Sequence, residues 1–168
     1  IAAKNEARNA FGDDRVFIEK YIEKPRHIEI QILGDKFGDI VWLGERECSI
    51  QRRHQKIIEE APSSFLDQDT RSKMGSQAVK LAREVQYYSA GTVEFVVNPN
   101  KEFYFLEMNT RLQVEHPVTE TITNIDLVEQ MIDIADNKKL KFKQDDIVVK
   151  GWSFESRLCG ESPIKNFL

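Results

Sequence analysis

Apolar and polar residues alternate with a period of two over 27–33 (HIEIQIL), where Ile28, Ile30 and Ile32 interleave with Glu29 and Gln31. Successive side chains of an extended backbone point to opposite faces, so this run predicts a strand with one apolar face. Asp35-Lys36-Phe37-Gly38 then predicts a turn, and 39–43 pairs back as the second strand of a hairpin. The same pattern predicts strands at 16–21 (VFIEKY), 56–60 (KIIEE, stopped by Pro62), 91–98 (GTVEFVVN), 102–107 and 151–159. An Asn-Pro-Asn-Lys turn joins 91–98 to 102–107. Helical periodicity appears in three places. Residues 2–11 are rich in Ala, Lys, Glu and Arg and end at Gly12, a C-terminal stop. Residues 67–88 place Met74, Ala78, Leu81, Ala82 and Val85 on one face, with Asp67 or Asp69 near the start. Residues 126–135 turn Leu127, Met131 and Ile134 inward, with Asn124 as a cap, and 138–143 follows as a basic, exposed connection. Antiparallel hairpins mixed with helices, without regular βαβ alternation, predict the α+β class.

One alternating run carries unusual polar residues. In 105–120 (FLEMNTRLQVEHPVTE), Glu107, Asn109, Arg111, Gln113 and Glu115 recur at every second position, with Met108, Thr110, Leu112 and Val114 between them. Read as extended throughout, one face carries two carboxylates, two amides and a guanidinium, and His116-Pro117 closes the run. Alternation alone describes a half-buried strand with a solvated face. A solvated face is usually rich in Lys, Thr and Ser, whereas these groups are short, oxygen-bearing or forked. Glu107 and Asn109 offer the hard oxygens that Mg²⁺ prefers. Arg111 has the planar fork that grips carboxylate, bicarbonate or phosphate at two points, and Glu115 is a spare carboxylate able to act as a base. The run predicts a site for an anion and a metal.

Composition narrows the classes. With 40% hydrophobic residues in 168, the chain can bury the core of one compact domain or two small subdomains. A net charge of -4 argues against a general nucleic-acid binder. Cys48 and Cys159 have no metal-type spacing, suit a reducing compartment and read as small packing residues. No apolar run is long enough to span a bilayer and no signal peptide opens the chain, so no membrane partner is expected. Ile1-Ala2-Ala3-Lys4 reads as the middle of a helix and Phe167-Leu168 ends on apolar residues, so a piece of a longer polypeptide is expected.

Arg46, Arg52, Arg53, His54 and Lys56 crowd the segment 45–60 (ERECSIQRRHQKIIEE), which reads as a basic loop between strands. No aromatic lies between Trp42 and Phe65, so single-strand stacking is disfavoured and a compact polyanion such as a nucleoside triphosphate fits better. Glu94 sits among Val93, Phe95 and Val96, and either points out of the sheet or meets a cation; opposite Glu107 it would help bridge metal ions. His27, His54 and His116 lack zinc-type spacing. The eight glycines never pair, so no glycine-rich phosphate loop or dinucleotide fingerprint is present, and no nucleophile elbow occurs.

The motifs EKYIEKPRHIEIQ (19–31), ERECSIQRRHQKIIEEAP (45–62) and FLEMNTRLQVEHPVTE (105–120) resemble the biotin carboxylase component of biotin-dependent carboxylases, an ATP-grasp family, and the resemblance runs essentially end to end. The tail, Gly151-Trp152 with Glu155, Arg157 and Glu161-Ser162-Pro163, looks most like the α subunit of propionyl-CoA carboxylase, although acetyl-CoA, methylcrotonyl-CoA and pyruvate carboxylases share the core motifs. The resemblance implies a partial ATP-grasp-type mixed or antiparallel sheet with flanking helices. Residues 1–22 would be the end of the lid subdomain and hinge, and 23–168 the catalytic core and the start of the C-terminal domain. The glycine-rich lid and two ATP-contacting lysines would precede Ile1, so this stretch alone is expected to turn over little or no ATP.

In that family ATP phosphorylates bicarbonate to carboxyphosphate, whose CO₂ then carboxylates biotin carried on a separate domain. By resemblance, Glu94, Glu107 and Asn109 would hold Mg²⁺ or Mn²⁺. Glu19, Lys20, Ile22, His27, Gln51 and His54, with Glu94 and Glu107, would contact ATP. Lys56, Arg111, Gln113 and Val114 would hold bicarbonate, Glu115 would take its proton, and Arg157 would stabilise the enolate-like form of biotin. The implied partners are a carboxyltransferase (β) subunit, a biotin carboxyl carrier domain and a second copy of the chain. The implied compartment is the cytoplasm, or the mitochondrial matrix in a eukaryote. Two other readings stay open: a carbamoyl-phosphate-synthetase-type ATP-grasp enzyme, and a non-catalytic subunit-association module.

Overall fold

A computed structural model describes residues 1–165; Phe167, Leu168 and the last residues of the 23–168 unit lie outside the described residues. The central hairpin is β1 (Arg26–Gly34) with β2 (Ile40–Arg52), and β3 (Gln55–Ala61) pairs onto β2. A second hairpin, β4 (Ser89–Val97) with β5 (Phe103–Asn109), joins β1 through β4, and β6 (Ser153–Ser156) lies outside β3. The result is one antiparallel sheet in the order β5-β4-β1-β2-β3-β6, flanked by α2 (Gln68–Glu84), α3 (His116–Thr123) and α4 (Leu127–Ala135), while α1 (Ala2–Phe11) buries no residue. This is the α+β arrangement that the alternation predicts.

Strand periodicity divides the sheet into two faces with different chemistry. Ile28, Ile30 and Ile32, with Val93, Phe95 and Val97, pack against Met74, Ala78 and Ala82 of α2. Each large aliphatic buried there contributes about 1.5–3 kcal/mol. On the opposite face, Leu33, Val41, Leu43 and Ala90 meet Leu127 and Ile134 of α4. The remainder of that face carries Glu29, Gln31, Arg46, Thr92 and Glu94, all buried. Burial here is not confined to apolar groups, so the polar side of β1 and β4 is interior rather than solvated.

Several expected elements differ. Residues 16–21 form no strand: Phe17, Ile18 and Tyr21 are exposed and no sheet edge accepts them. The segment 45–60 is not a loop. β2 runs on to Arg52, Arg53 and His54 make a two-residue turn with φ of 51° and 64°, and β3 starts at Gln55. Two consecutive positive φ values are the signature of a type I′ hairpin, usually built from Asn-Gly, so Arg-His gives little signal in the sequence. The run beginning at 105 leaves the sheet after Asn109, and Pro117 opens α3 in its first turn instead of ending a strand. Helix α2 stops at Glu84, leaving Val85 exposed and Leu81 half-buried.

Asp67 caps α2 by accepting from the Thr70 N–H. Asp126 rather than Asn124 caps α4, while Asn124 ends α3 in the left-handed conformation. The connection 138–143 is only partly exposed, because Leu140 and Phe142 pack on the α4 cluster. β6 covers only four of the residues predicted for it. Cys48 is buried as expected, whereas Cys159 is exposed and is no packing residue. No helix among the described residues is long and apolar enough to cross a membrane.

Candidate active site

The register of the sheet assembles a row of charges. Glu107 on β5 lies opposite Glu94 on β4, Glu94 opposite Glu29 on β1, and Glu29 opposite Arg46 on β2. Like charges directly opposite one another repel, and buried carboxylates require partners. Two cations supply them. Arg46, with no solvent exposure, donates from Nε to Glu29 at 2.5 Å, from one terminal nitrogen to Gln31 and Thr119, and from the other to Gln113 and Thr92. Lys56 reaches in from β3 and places its ammonium against Glu29, against Glu94 at 3.0 Å and against Glu115 at 2.7 Å. All three ammonium hydrogens thus meet carboxylates.

A cavity of about 280 Å³ opens above this network, lined by His27, Gln51, His54, Gln55, Lys56, Glu94, Glu107, Asn109, Arg111, Gln113, Val114, Glu115 and Arg157. It therefore gathers every residue expected from the motifs except Glu19, Lys20 and Ile22. Those three stand apart. Lys20 donates to the Tyr104 hydroxyl at 3.0 Å, and Lys20 and Ile22 line a separate depression against the β4–β5 turn. A larger cavity, about 520 Å³, lies between α2 and 144–149; its Arg71 and Glu45 satisfy each other at 2.7 Å and it gathers none of the expected residues.

Electrostatics in the smaller cavity follow from burial set against pairing. Burial alone would raise the Glu94 carboxyl, but the His27 hydrogen bond at 2.6 Å and the Lys56 charge outweigh it and hold Glu94 well below the usual carboxylate range. Glu115 is likewise lowered: burial opposes ionisation and the Lys56 bond and charge prevail. For Lys56 burial disfavours the ammonium, yet Glu29 and its neighbours raise it above the ordinary lysine range. Arg157 bridges Glu59 at 2.8 Å and Glu115 at 2.9 Å, which ties β3, the stretch before α3 and the end of β6 together.

Glu94, Glu107 and Asn109 carry oxygens of the kind a hard divalent cation takes, although Oε1 of Glu94 already accepts from Lys56, Asn109 and Gln113 and its Oε2 meets His27. Their side chains share one end of the hairpin, and the amide nitrogen of Asn109 turns toward Glu94 at 2.9 Å and Glu107 at 3.4 Å, leaving its oxygen for another partner. Glu107 is exposed. His27, Glu29 and Glu94 also bring one ligand atom each within 4.8 Å of one another. The cluster 46–56 divides by burial and pairing rather than forming one patch. Arg46 is buried, Lys56 enters the cavity, Arg52 pairs with Glu161, and Arg53 is exposed at the hairpin turn.

Sequence reasoning missed Arg46, Glu29 and Glu59. The available signal was Glu29 in phase with Glu94, but only the sheet register shows that they share a face. It also missed Ser49, whose hydroxyl accepts the His27 backbone N–H at 2.8 Å and donates to Glu47.

Comparison with known proteins gives a consistent result. Residues 1–143 match the family described as "Carbamoyl-phosphate synthase L chain, ATP binding domain". The propionyl-CoA carboxylase α chain of Ruegeria pomeroyi is 63% identical over 167 residues, covering 99% of this chain and 24% of that protein. The human mitochondrial propionyl-CoA carboxylase α chain is 63% identical over 165 residues, covering 98% and 23%. The biotin carboxylase domain of Hydrogenobacter thermophilus 2-oxoglutarate carboxylase, solved as a dimer with MgADP, ADP and bicarbonate, superposes with a TM-score of 0.91 at 53% identity, covering 99% of this chain and 37% of that one. The chain thus spans about a quarter of the length of these carboxylase α chains. With its ATP-grasp sheet and its charged cavity, the chain belongs to the family of carbamoyl-phosphate synthase L chain ATP-binding domains and has biotin carboxylases among its relatives.

Proposed function

We propose that this chain is the ATP- and bicarbonate-handling part of a biotin carboxylase, which carboxylates biotin through carboxyphosphate in the first half-reaction of an acyl-CoA carboxylase. Propionyl-CoA is the proposed final acceptor, on the strength of the α chains most similar to it. The observation that carries the reading is the cavity in which Lys56, Arg111, Gln113 and Arg157 surround Glu115, beside Glu94, Glu107 and Asn109 on adjoining strands. Donors for a small oxyanion and oxygens for a hard cation meet there.

Glu94, Glu107 and Asn109 would hold magnesium, which when bound neutralises charge on the phosphate oxygens. Arg111, which lines the cavity and donates to the Leu112 carbonyl at 3.2 Å, presents its fork to bicarbonate. Gln113 gives one amide hydrogen to Glu94 and holds a second for the anion. Glu115 is ionised and ready to accept a proton, but Lys56 and Arg157 lower its basicity. Bicarbonate bound by Lys56 draws that ammonium from Glu115 and raises its basicity when it is needed, while Arg157 is there for the enolate-like form of biotin. Residues 1–22 fit the end of a lid subdomain and hinge, with Glu19, Lys20 and Ile22 brought to the nucleotide by lid closure. The biotin carrier domain, a carboxyltransferase subunit and a second copy are the proposed partners, in the cytoplasm or the mitochondrial matrix.

The test uses the full-length protein with Glu115→Gln and Arg157→Ala, assayed for carboxybiotin and for bicarbonate-dependent ADP release. Loss of one charge-stabilising donor costs about 3 kcal/mol, roughly a hundredfold in rate. Carboxybiotin formed at the parental rate by both variants sinks the reading, and carbamoyl phosphate as the product reassigns the chain to the synthetase type.

A further inference from the structure

Among the described residues, two buried side-chain oxygens have no hydrogen-bond partner: Oε2 of Glu59 and Oε2 of Glu155. They are not scattered. Glu59 on β3 and Glu155 on β6 are direct cross-strand partners, so their side chains leave the sheet on the same face. Glu59 has no solvent exposure, and Arg157 bonds it only through Oε1, from Nε at 2.8 Å and from a terminal nitrogen at 2.7 Å. An unsatisfied carboxylate oxygen in such a place is costly, and a neighbouring second carboxylate adds repulsion. Two orphans on adjacent, paired residues point to one shared cause.

From this geometry we infer that Glu59 and Glu155 form a proton-binding pair, one carboxyl and one carboxylate joined by a single O–H···O⁻ bond between their Oε2 atoms. One proton satisfies both orphans and removes the repulsion, as in other closely placed acid pairs. The charges facing the pair are Arg157 and Glu115, with His116 from α3 and Arg46 from β2. Burial pushes both carboxyls upward, Arg157 opposes that for each, and Glu115 reinforces it. With the proton in place Arg157 faces Glu115 and one shared negative charge; without it, a further negative charge behind the guanidinium pulls it away from the cavity. The pair is a site the proposed reaction does not use, and it stands whether or not that reaction is the right one.

The measurement is a carboxyl-carbon NMR titration of ¹³C-glutamate-labelled protein from pH 4 to 9 with EDTA, the pair being identified by its loss in Glu155→Gln. One proton should persist on the pair well above the range near 4.3 where solvated glutamates lose theirs. Glutamine at 155 supplies a permanent N–H to Glu59, so the persistent proton should vanish from that variant. The unfolding constant of the parent should rise up to tenfold per pH unit from the ordinary glutamate range up to the pair's own titration, and level off above it. The variant should lack that rise. Ordinary titration of both carboxyls in the parent, which needs no variant to fold, overturns the inference. So does titration that becomes abnormal only when Mg²⁺ replaces EDTA, since a cation would then occupy the site.

Discussion

Arg46 donates to the side-chain oxygen of Gln113 at 2.9 Å from a guanidinium wholly sealed from solvent. That bond fixes which way the Gln113 amide faces: its nitrogen must turn to Glu94, which it meets at 2.9 Å. A residue on β2 thereby sets the donor that a residue before α3 shows to the cavity. Every Arg46 nitrogen is engaged, with acceptors drawn from β1, β4, α3 and the stretch before it.

Arg46→Met should therefore destabilise the fold by about 3–5 kcal/mol, because Glu29 loses its buried partner on one side. Arg46→Lys keeps the charge but has three donors in place of five, and should fall between parent and Met. Denaturant unfolding of the three proteins checks the order. Equal midpoints for Lys and Arg would mean that the fork geometry contributes nothing.

Lys56 touches three carboxylates and is the only lysine among the described residues to do so. Lys56→Met leaves Glu29, Glu94 and Glu115 crowded about an apolar side chain. The expected loss is about 3–5 kcal/mol at neutral pH, shrinking as the pH falls and the freed carboxylates protonate. Adding Glu115→Gln to that variant should restore part of the stability, a coupling that a double-mutant cycle in thermal unfolding measures.

Much of this fold is legible in the sequence because its strands alternate strictly. HIEIQIL and GTVEFVV each place an apolar row against α2, and the structure has both where the pattern puts them. Legibility fails where tertiary context decides. Residues 16–21 have strand composition but no neighbour to pair with. Arg46 looks like its basic neighbours, and only its position opposite Glu29 shows that it is interior. The polar residues of the run from 105 to 120 do line one cavity, although only its first half is extended. The polar period survives as Gln113 and Glu115 turn inward, while Val114, on the nominally apolar side, is exposed.

Acid should undo the site before it undoes the α2 face. Glu94 and Glu115 have folded values below their ordinary ones, so the stability they contribute is present above the ordinary glutamate range and is lost as pH falls through the lowered values. Lys56 has the opposite sign. Its contribution is complete below the ordinary lysine value of 10.5 and declines only as pH rises through its raised one. The two windows overlap between about pH 5 and pH 10, where stability from this network should be flat. Glu94→Gln should flatten the acid limb of a pH–stability curve, and an unchanged limb would assign acid lability elsewhere.

Gly75 lies in the middle of α2, where alanine would normally be favoured by about 1 kcal/mol. The packing reverses that preference. A β-carbon at this position would meet the Trp42 ring at 2.3 to 2.8 Å, inside any real contact distance, and the atoms it meets belong to the rigid indole rather than to a flexible tip. Trp42 is in turn held by Gln144, which accepts its backbone N–H and donates to its carbonyl, both at 2.9 Å. The ring cannot withdraw by moving its strand. Overpacking of this kind costs about 1–3 kcal/mol, so it matches or exceeds the propensity gain and Gly75→Ala should be net destabilising. Trp42→Leu opens the space, and in that background Gly75→Ala should become neutral or stabilising. Thermal melts of the four proteins decide the point: additive effects of the two substitutions would show that the glycine is not there to admit the indole.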